Sequence, residues 1–145
     1  MRKAMLRAAD PFVGTWKVNV AKSKLAGLAL VQRLVESGTI KVESLDNGIK
    51  STFEGVDAEG KAFRSEWSGK YDDKDYPLKG NPTIDTSAMK KIDMNTIVEV
   101  SKKAGKQVAR FQYTVSKDGK TLTATGKIID PRGQEYNVTY VCDRQ

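Results

Sequence analysis

The chain has 145 residues, a length that suits one hydrophobic core, and its 25 basic and 18 acidic side chains give a formal net charge of +7. A hydrophobic content of 39% excludes a disordered chain, and no apolar run reaches the ~20 residues that cross a bilayer as a helix. The lack of any histidine removes the commonest general base and the commonest transition-metal ligand, and the single Cys142 excludes an internal disulfide.

The first nine residues are basic, with Arg2, Lys3 and Arg7 around a short apolar stretch. This charge is typical of the start of a secretory leader, but the apolar segment of about 7–15 residues that follows such a start is missing. We interpret residues 1–9 as a leader remnant or a disordered extension, and residues 10–145 as one domain. We expect a secreted or periplasmic protein if a native leader was removed, and otherwise a cytoplasmic one.

Turn signals divide the rest of the chain at short intervals. Clusters that contain Gly, Asn, Asp or Pro, which tolerate turn dihedrals, occur at residues 46–48, 57–60, 72–75, 79–82, 93–95, 103–106, 117–120 and 130–133. The short segments between these clusters predict an antiparallel β-meander. A meander of this length with one apolar face closes most economically into a barrel, because closure removes the exposed strand edges.

The segments between the turns alternate apolar and polar residues, as strands with one buried face do. In the first segment, Phe12, Trp16 and Val18 share one face, while Thr15 and Lys17 lie on the other. The same parity places seven further aromatic residues on the inward face: Phe63, Trp67, Tyr71, Phe111, Tyr113, Tyr136 and Tyr140.

Residues 24–36 break this alternation, because they contain four leucines and few β-branched residues. Ser23 provides a helix N-cap and Gly38 a stop, which predicts one short helix after the first strand. Gly27 and the valines of the segment argue against a helix. A strand that starts near residue 29 is the alternative.

Small residues interrupt the inward faces of the predicted strands. Ser51, Ser65, Ala109 and Ala124 fall among the large side chains, and small inward residues leave the space that a ligand cavity needs. The alternative is that these residues only fit the taper of a packed barrel. If the cavity exists, the seven aromatic residues are the predicted ligand-binding residues.

Gly14-Thr15-Trp16 resembles the Gly-x-Trp signature of the lipocalin and fatty-acid-binding superfamily of β-barrels. Residues 10–24 are more closely similar to the opening of a bacterial lipocalin-like family. The similarity continues through residues 55–61, 70–77, 80–82 and 115–123. The resemblance implies an all-β, antiparallel up-and-down barrel of about 8–10 strands, and it implies little about activity.

The resemblance also implies a structural role for Gly14, Trp16 and Arg144. In the superfamily the tryptophan plugs the closed barrel end, and a basic residue near the last strand lies across it. Arg144 shares parity with Tyr140 and Cys142, so it can point toward Trp16 and gain a cation–π energy of about 0.5–2 kcal/mol. The Arg-x-Tyr carboxylate clamp of fatty-acid-binding proteins is absent, so no fatty-acid head-group site is predicted.

The favoured functional prediction is non-catalytic binding or transport of a small hydrophobic molecule in the barrel cavity. The alternative is a protein- or envelope-interaction module with a filled barrel, and a further alternative is a cavity enzyme that uses a carboxylate, a tyrosine or Cys142. No catalytic residue, metal or cofactor is predicted. The basic residues between 102 and 110 lack the interleaved aromatics that stack on bases, so we expect no nucleic-acid partner and at most weak contact with an anionic surface. The oligomeric state stays open.

Overall fold

The computed structural model describes residues 10–23, 37–57 and 59–145, and these residues form one closed antiparallel barrel. Its strands are β1 (Gly14–Val18), β2 (Ser37–Leu45), β3 (Gly48–Val56), β4 (Ala62–Gly69), β5 (Tyr76–Lys79), β6 (Thr86–Asp93), β7 (Thr96–Lys103), β8 (Lys106–Val115), β9 (Thr121–Ile129) and β10 (Glu135–Arg144). Each strand pairs with its neighbours in chain order, and β1 pairs with β10 to close the ring. The predicted all-β class and up-and-down barrel are confirmed.

Tight turns join the strands at the predicted turn residues, as the connection from β9 to β10 illustrates. The Asp130 carboxylate accepts hydrogen bonds from the backbone N–H groups of Arg132 and Gln134, at 2.9 and 3.0 Å. Gly133 in this turn has a φ of 88°, a conformation that residues with a Cβ rarely adopt. Side-chain oxygen and glycine together allow the chain to reverse within a few residues.

A 3-10 helix of three residues, Val20–Lys22, follows β1. The Asn19 side chain accepts a hydrogen bond from the Lys22 backbone N–H at 3.2 Å and so caps this turn. The short helix or strand predicted for residues 24–36 lies outside the described residues. Within the described ranges, no helix has the length and hydropathy for crossing a bilayer.

The connections between strands alternate between the two ends of the barrel. We call one of them the closed end; β1 begins and β10 ends there, and the turns from β2 to β3 and from β8 to β9 lie beside them. We call the other the mouth; the connections from β5 to β6, from β7 to β8 and from β9 to β10 lie there. The buried core is concentrated toward the closed end, and its largest fully buried side chains include Trp16, Val115 and Cys142.

Residues 10–13, which lead into β1, are tied to the closed end by a polar cluster. The Tyr71 hydroxyl donates to Asp10 Oδ2 at 2.7 Å, and Lys91 Nζ lies 3.3 Å from Asp10 Oδ1. The same ammonium group lies 4.9 Å from the centroid of the Tyr71 ring. These contacts hold the chain across the barrel end, where Phe12 enters the core.

Candidate functional site

Trp16 and Arg144 form a plug at the closed end. Trp16 is fully buried, and its indole N–H donates to the Phe12 carbonyl at 3.0 Å. The guanidinium carbon of Arg144 lies 4.1 Å from the indole centroid. The guanidinium group donates to the carbonyls of Gly119, Val13 and Pro11, at 2.6, 2.9 and 2.7 Å. A cation that is stacked on an aromatic ring and bonded to three backbone carbonyls, on the segment before β1 and on the turn from β8 to β9, holds the barrel end together.

Gly14 leaves the room that this plug requires. A Cβ at this position would lie 2.4 Å from Arg144 Nη1, closer than nonbonded atoms approach. The φ of Gly14 is 142°, a value that residues with a side chain rarely adopt. Glycine is therefore needed at this position both for its backbone conformation and for the close approach of Arg144.

The barrel encloses a cavity of about 720 Å³ between this plug and the mouth. Small-molecule sites commonly measure about 300–1,000 Å³, so the volume suits an organic ligand of moderate size. Apolar side chains form most of the wall, with Val42, Phe53, Leu78 and Ile97 among them. The connections at the mouth also border the space, so it extends from the core to that end of the barrel.

Small inward residues create this space. Ser51, Ser65, Ala109 and Ala124 all border the cavity. Ala109 and Ala124 belong to the inner wall, and their single methyl groups fill less of the interior than a larger inward side chain would. The interior of this structure therefore contains a cavity, and the small inward residues do not simply fit the taper of a packed barrel.

Four of the seven aromatic residues predicted to bind ligand border the cavity, namely Trp67, Phe111, Tyr113 and Tyr140. The Phe111 ring stacks with both tyrosines, with centroid distances of 6.1 Å to Tyr113 and 6.3 Å to Tyr140. Trp67 is buried and donates its indole N–H to the Ser87 carbonyl at 2.9 Å. Their side chains form an aromatic part of the wall that carries two hydroxyl groups.

The other three predicted residues are not among those that line the cavity. Phe63 packs edge to face on the lining residue Phe53, with 5.0 Å between the ring centroids. Tyr136 donates its hydroxyl to Asp130 Oδ2 at 3.2 Å. Tyr71 lies beyond Gly69, where β4 ends, so strand parity no longer directs its side chain inward, and it bonds to Asp10 instead.

A half-buried carboxyl group that borders the cavity, Glu99 on β7, is the feature of the wall that the sequence analysis missed. The Tyr113 hydroxyl donates to Glu99 Oε1 at 2.5 Å, and the Ser87 side chain also hydrogen-bonds to this carboxyl group. Ser87 Oγ lies 2.8 Å from Ser101 Oγ. Parity alone does not reveal Glu99, because Val98 and Val100 make the opposite face of the strand apolar as well.

Burial raises the pKa of the titratable groups at this wall. It raises the pKa of Glu99, and the hydrogen bonds from Tyr113 and Ser87 oppose that shift. Burial and then the Glu99 charge raise the pKa of Tyr113, and burial raises the pKa of Tyr140 to about 12. Both tyrosines therefore present neutral hydroxyl groups to the cavity at physiological pH.

Cys142, the one thiol of the chain, is fully buried. Burial, with a smaller effect from Asp143, raises the pKa of its thiol to about 12. A nucleophilic cysteine needs the opposite change, because the thiolate is the reactive form. The Cys142 side chain therefore belongs to the packed core and not to a catalytic site.

Comparisons with known proteins identify the architecture but no family. No family model matches the chain, and no curated protein matches it in sequence. Among solved structures, the barrel is similar to the zebrafish ileal bile acid-binding protein in complex with cholic acid, with a TM-score of 0.59 and 7% sequence identity. The match covers 93% of this chain and 99% of the zebrafish chain. At this identity the similarity shows the fold alone, a closed barrel of the lipocalin and fatty-acid-binding type.

Proposed function

We propose that this protein binds or carries a small hydrophobic molecule in its barrel cavity and does not transform it. The observation that supports this function most directly is the preformed internal space of about 720 Å³ with a mostly apolar wall. A preformed space matters because a ligand that enters it does not have to order the wall first.

The size of the cavity is compatible with micromolar affinity. A ligand that buries about 500 Å² of apolar surface gains roughly 12 kcal/mol at ~25 cal/mol per Å². An association cost of about 4 kcal/mol, at the low end for a rigid site, leaves about 8 kcal/mol. That remainder corresponds to a Kd of about 1 μM.

The fold comparison supports the same class of function. The similar zebrafish barrel is a bile acid-binding protein in complex with cholic acid. The hydroxyl groups of Tyr113 and Tyr140 in this wall suit a hydrophobic ligand that carries one or two polar groups, because flat aromatic area and single hydroxyls combine apolar contact with hydrogen bonding.

We also infer membership of a bacterial lipocalin-like family, and a secreted or periplasmic location if a native leader was removed and a cytoplasmic one otherwise. The family proposal rests on the Gly14-Thr15-Trp16 signature on β1 and on the similar segments further along the chain. The location rests on the basic residues Arg2, Lys3 and Arg7, which are typical of the start of a leader. Detection of the native protein in fractionated cells tests the location directly.

A matched pair of substitutions on β4 tests the proposed function. Ser65 borders the cavity, whereas Ser68 on the same strand is exposed. Ser65→Phe places a ring in the cavity, and Ser68→Phe adds the same group outside the barrel. The uncharged fluorophore N-phenyl-1-naphthylamine should bind the wild type saturably, one to one and with micromolar Kd. We expect Ser65→Phe to weaken this binding by at least about tenfold, roughly 1.4 kcal/mol, and Ser68→Phe to leave it unchanged.

The titration must be made on protein that unfolds cooperatively, because loosened folds also bind apolar dyes. Equal loss of binding in the two variants would show that the dye occupies another surface. Absence of saturable binding to the folded wild type would favour the alternative of a protein- or envelope-interaction module.

A further inference from the structure

We propose that Glu99 makes the cavity select ligands that present a hydrogen-bond donor, an ammonium or hydroxyl group, to its interior, and reject ligands that present a carboxylate there. This inference rests on the proposed function and names the chemical class of its ligand. It is carried by the position of one carboxyl group, by its remaining hydrogen-bonding capacity and by the absence of a cation beside it.

Glu99 faces the cavity from the middle of β7. On the same face of the strand lie Ile97, which is 2% exposed, and Ser101, which is 3% exposed. Met89, its partner across the pair of β6 and β7, also borders the cavity. Glu99 itself is only half-buried, because part of its surface borders the empty interior. A ligand in the cavity therefore meets this carboxyl group beside the hydroxyl groups of Tyr113 and Ser101, in a wall that is otherwise mostly apolar.

The Glu99 carboxyl group keeps free acceptor positions. An ionised carboxylate accepts about four hydrogen bonds, and the described residues supply donors from Tyr113 and Ser87. If Ser87 donates to Glu99, its own oxygen accepts from the Ser101 hydroxyl at 2.8 Å. The hydrogen bonds then run from Ser101 through Ser87 to the Glu99 carboxylate. The remaining lone pairs of the carboxylate are free to accept from a donor on the ligand.

No cation stands beside Glu99 in the described part of the wall. The basic residues that border the cavity there are Lys103 and Lys106, which are exposed at the mouth. Lys103 follows Glu99 by four residues, roughly 13 Å along an extended strand. A ligand carboxylate beside Glu99 would meet a like charge in a poorly solvated space, whereas an ammonium group would form an ion pair. An anionic group fits only at the mouth.

The pKa of Glu99 agrees with a preference for ligands that carry a hydrogen-bond donor. Burial raises the pKa of its carboxyl group, because the charged form is less well solvated at this wall than in water. A bound ammonium group compensates for this loss of solvation, so ligand and carboxylate stabilise each other's charged forms.

Three ligands with the same alkyl chain test the inference: decylamine, decan-1-ol and decanoate, each in competition with N-phenyl-1-naphthylamine at pH 7.5. Glu99→Gln removes the charge but keeps an oxygen that accepts from Tyr113. We expect this variant to bind decylamine roughly tenfold or more weakly than the wild type does, and to bind decan-1-ol with an affinity changed by less than about threefold. Its affinity for decanoate should be unchanged or higher. The matched control is Glu54→Gln, because Glu54 is exposed and pairs with Arg64 at 3.5 Å outside the cavity.

A second variant changes the network without removing the charge. Tyr113→Phe frees an acceptor position on Glu99 but also removes a hydrogen bond that opposes the rise of its pKa. We therefore expect tighter binding of decylamine once the pH is high enough to ionise the carboxyl group, and unchanged binding of decanoate. Equal effects of Glu99→Gln on all three ligands, or no effect on decylamine, would overturn the inference. Such a result leaves the proposed function intact as long as the fluorophore and the alkyl compounds bind. Failure of all of them to bind the folded wild type would overturn both.

Discussion

The closed end of the barrel and the half near the mouth are built from the same strands but are packed in opposite ways. At the closed end, Trp16 is fully buried and Arg144 bonds to three backbone carbonyls around it. Between this plug and the mouth, the strands carry Ser65 and Ala109 among their inward residues, and about 720 Å³ stays empty. Side-chain size, and not backbone geometry, separates a stabilising region from a binding region.

A closed barrel can combine a packed end with an empty interior, because the backbone hydrogen bonds of its wall are made between the strands and do not depend on what fills the inside. The ladder from β2 through β10 is continuous, and β1 completes it by pairing with both β2 and β10. The packing lost around the cavity therefore has to be offset by the core at the closed end. Substitutions at the two ends should differ accordingly in their effects on stability.

The largest effect is expected for Trp16→Ala. Truncation of a fully packed aromatic side chain should lower the free energy of unfolding by about 3–5 kcal/mol, as measured in a urea melt. The control is Phe111→Ala, whose ring already borders empty space and so has fewer contacts to lose. A loss below about 1 kcal/mol for Trp16→Ala, or equal losses in the two variants, would contradict the comparison between the two ends.

A smaller loss is expected for Gly14→Ala, about 1–3 kcal/mol, because the new methyl group collides with the Arg144 guanidinium. Gly60→Ala is the matched control. Gly60 also has a positive φ, of 83°, but a Cβ there meets no atom within 4 Å. The difference between the two melts reports the close approach of Arg144 together with the difference in backbone strain between a φ of 142° and one of 83°. If the two variants lose the same stability, the close approach of Arg144 is not what requires glycine at position 14.

The smallest expected effect is a pH-dependent gain in stability for Glu99→Gln. The folded-state pKa of Glu99 is raised above its ordinary value of 4.5, mainly by burial. The contribution of Glu99 to the free energy of unfolding is therefore fully present below its unfolded-state pKa. This contribution is lost as the pH rises through its folded-state pKa. The stability of Glu99→Gln relative to the wild type should therefore increase from pH 4 toward pH 8 in a series of urea melts.

Other carboxyl groups titrate alike in the two proteins, so the difference between their melts reports on Glu99 alone. A difference that stays constant over this pH range would show that the Glu99 carboxyl group is well solvated. That result would also weaken the inference that the interior selects for donor groups.

Local patterns in the sequence determined the architecture. Turn residues at short intervals and period-two alternation predicted the strands, because both act over a few neighbouring residues. The same parity predicted the small inward residues such as Ser65 and Ala109, and with them the cavity. The placement of Arg144 over Trp16 also follows from parity on the last strand together with the closure of the ring.

Only the tertiary structure decided which inward residues border the cavity. Tyr71 has the right spacing from Trp67, but β4 ends at Gly69 and the chain then turns toward Asp10. Glu99 lies on a strand with apolar residues on both faces, so alternation does not show which way its side chain points. Its hydrogen bonds with Tyr113 and Ser87 show that it points inward, and these residues are 14 and 12 positions away in the chain. Contacts between distant parts of the chain decide where strands end and how they are paired in register. The spacing of residues within one segment carries no information about those contacts.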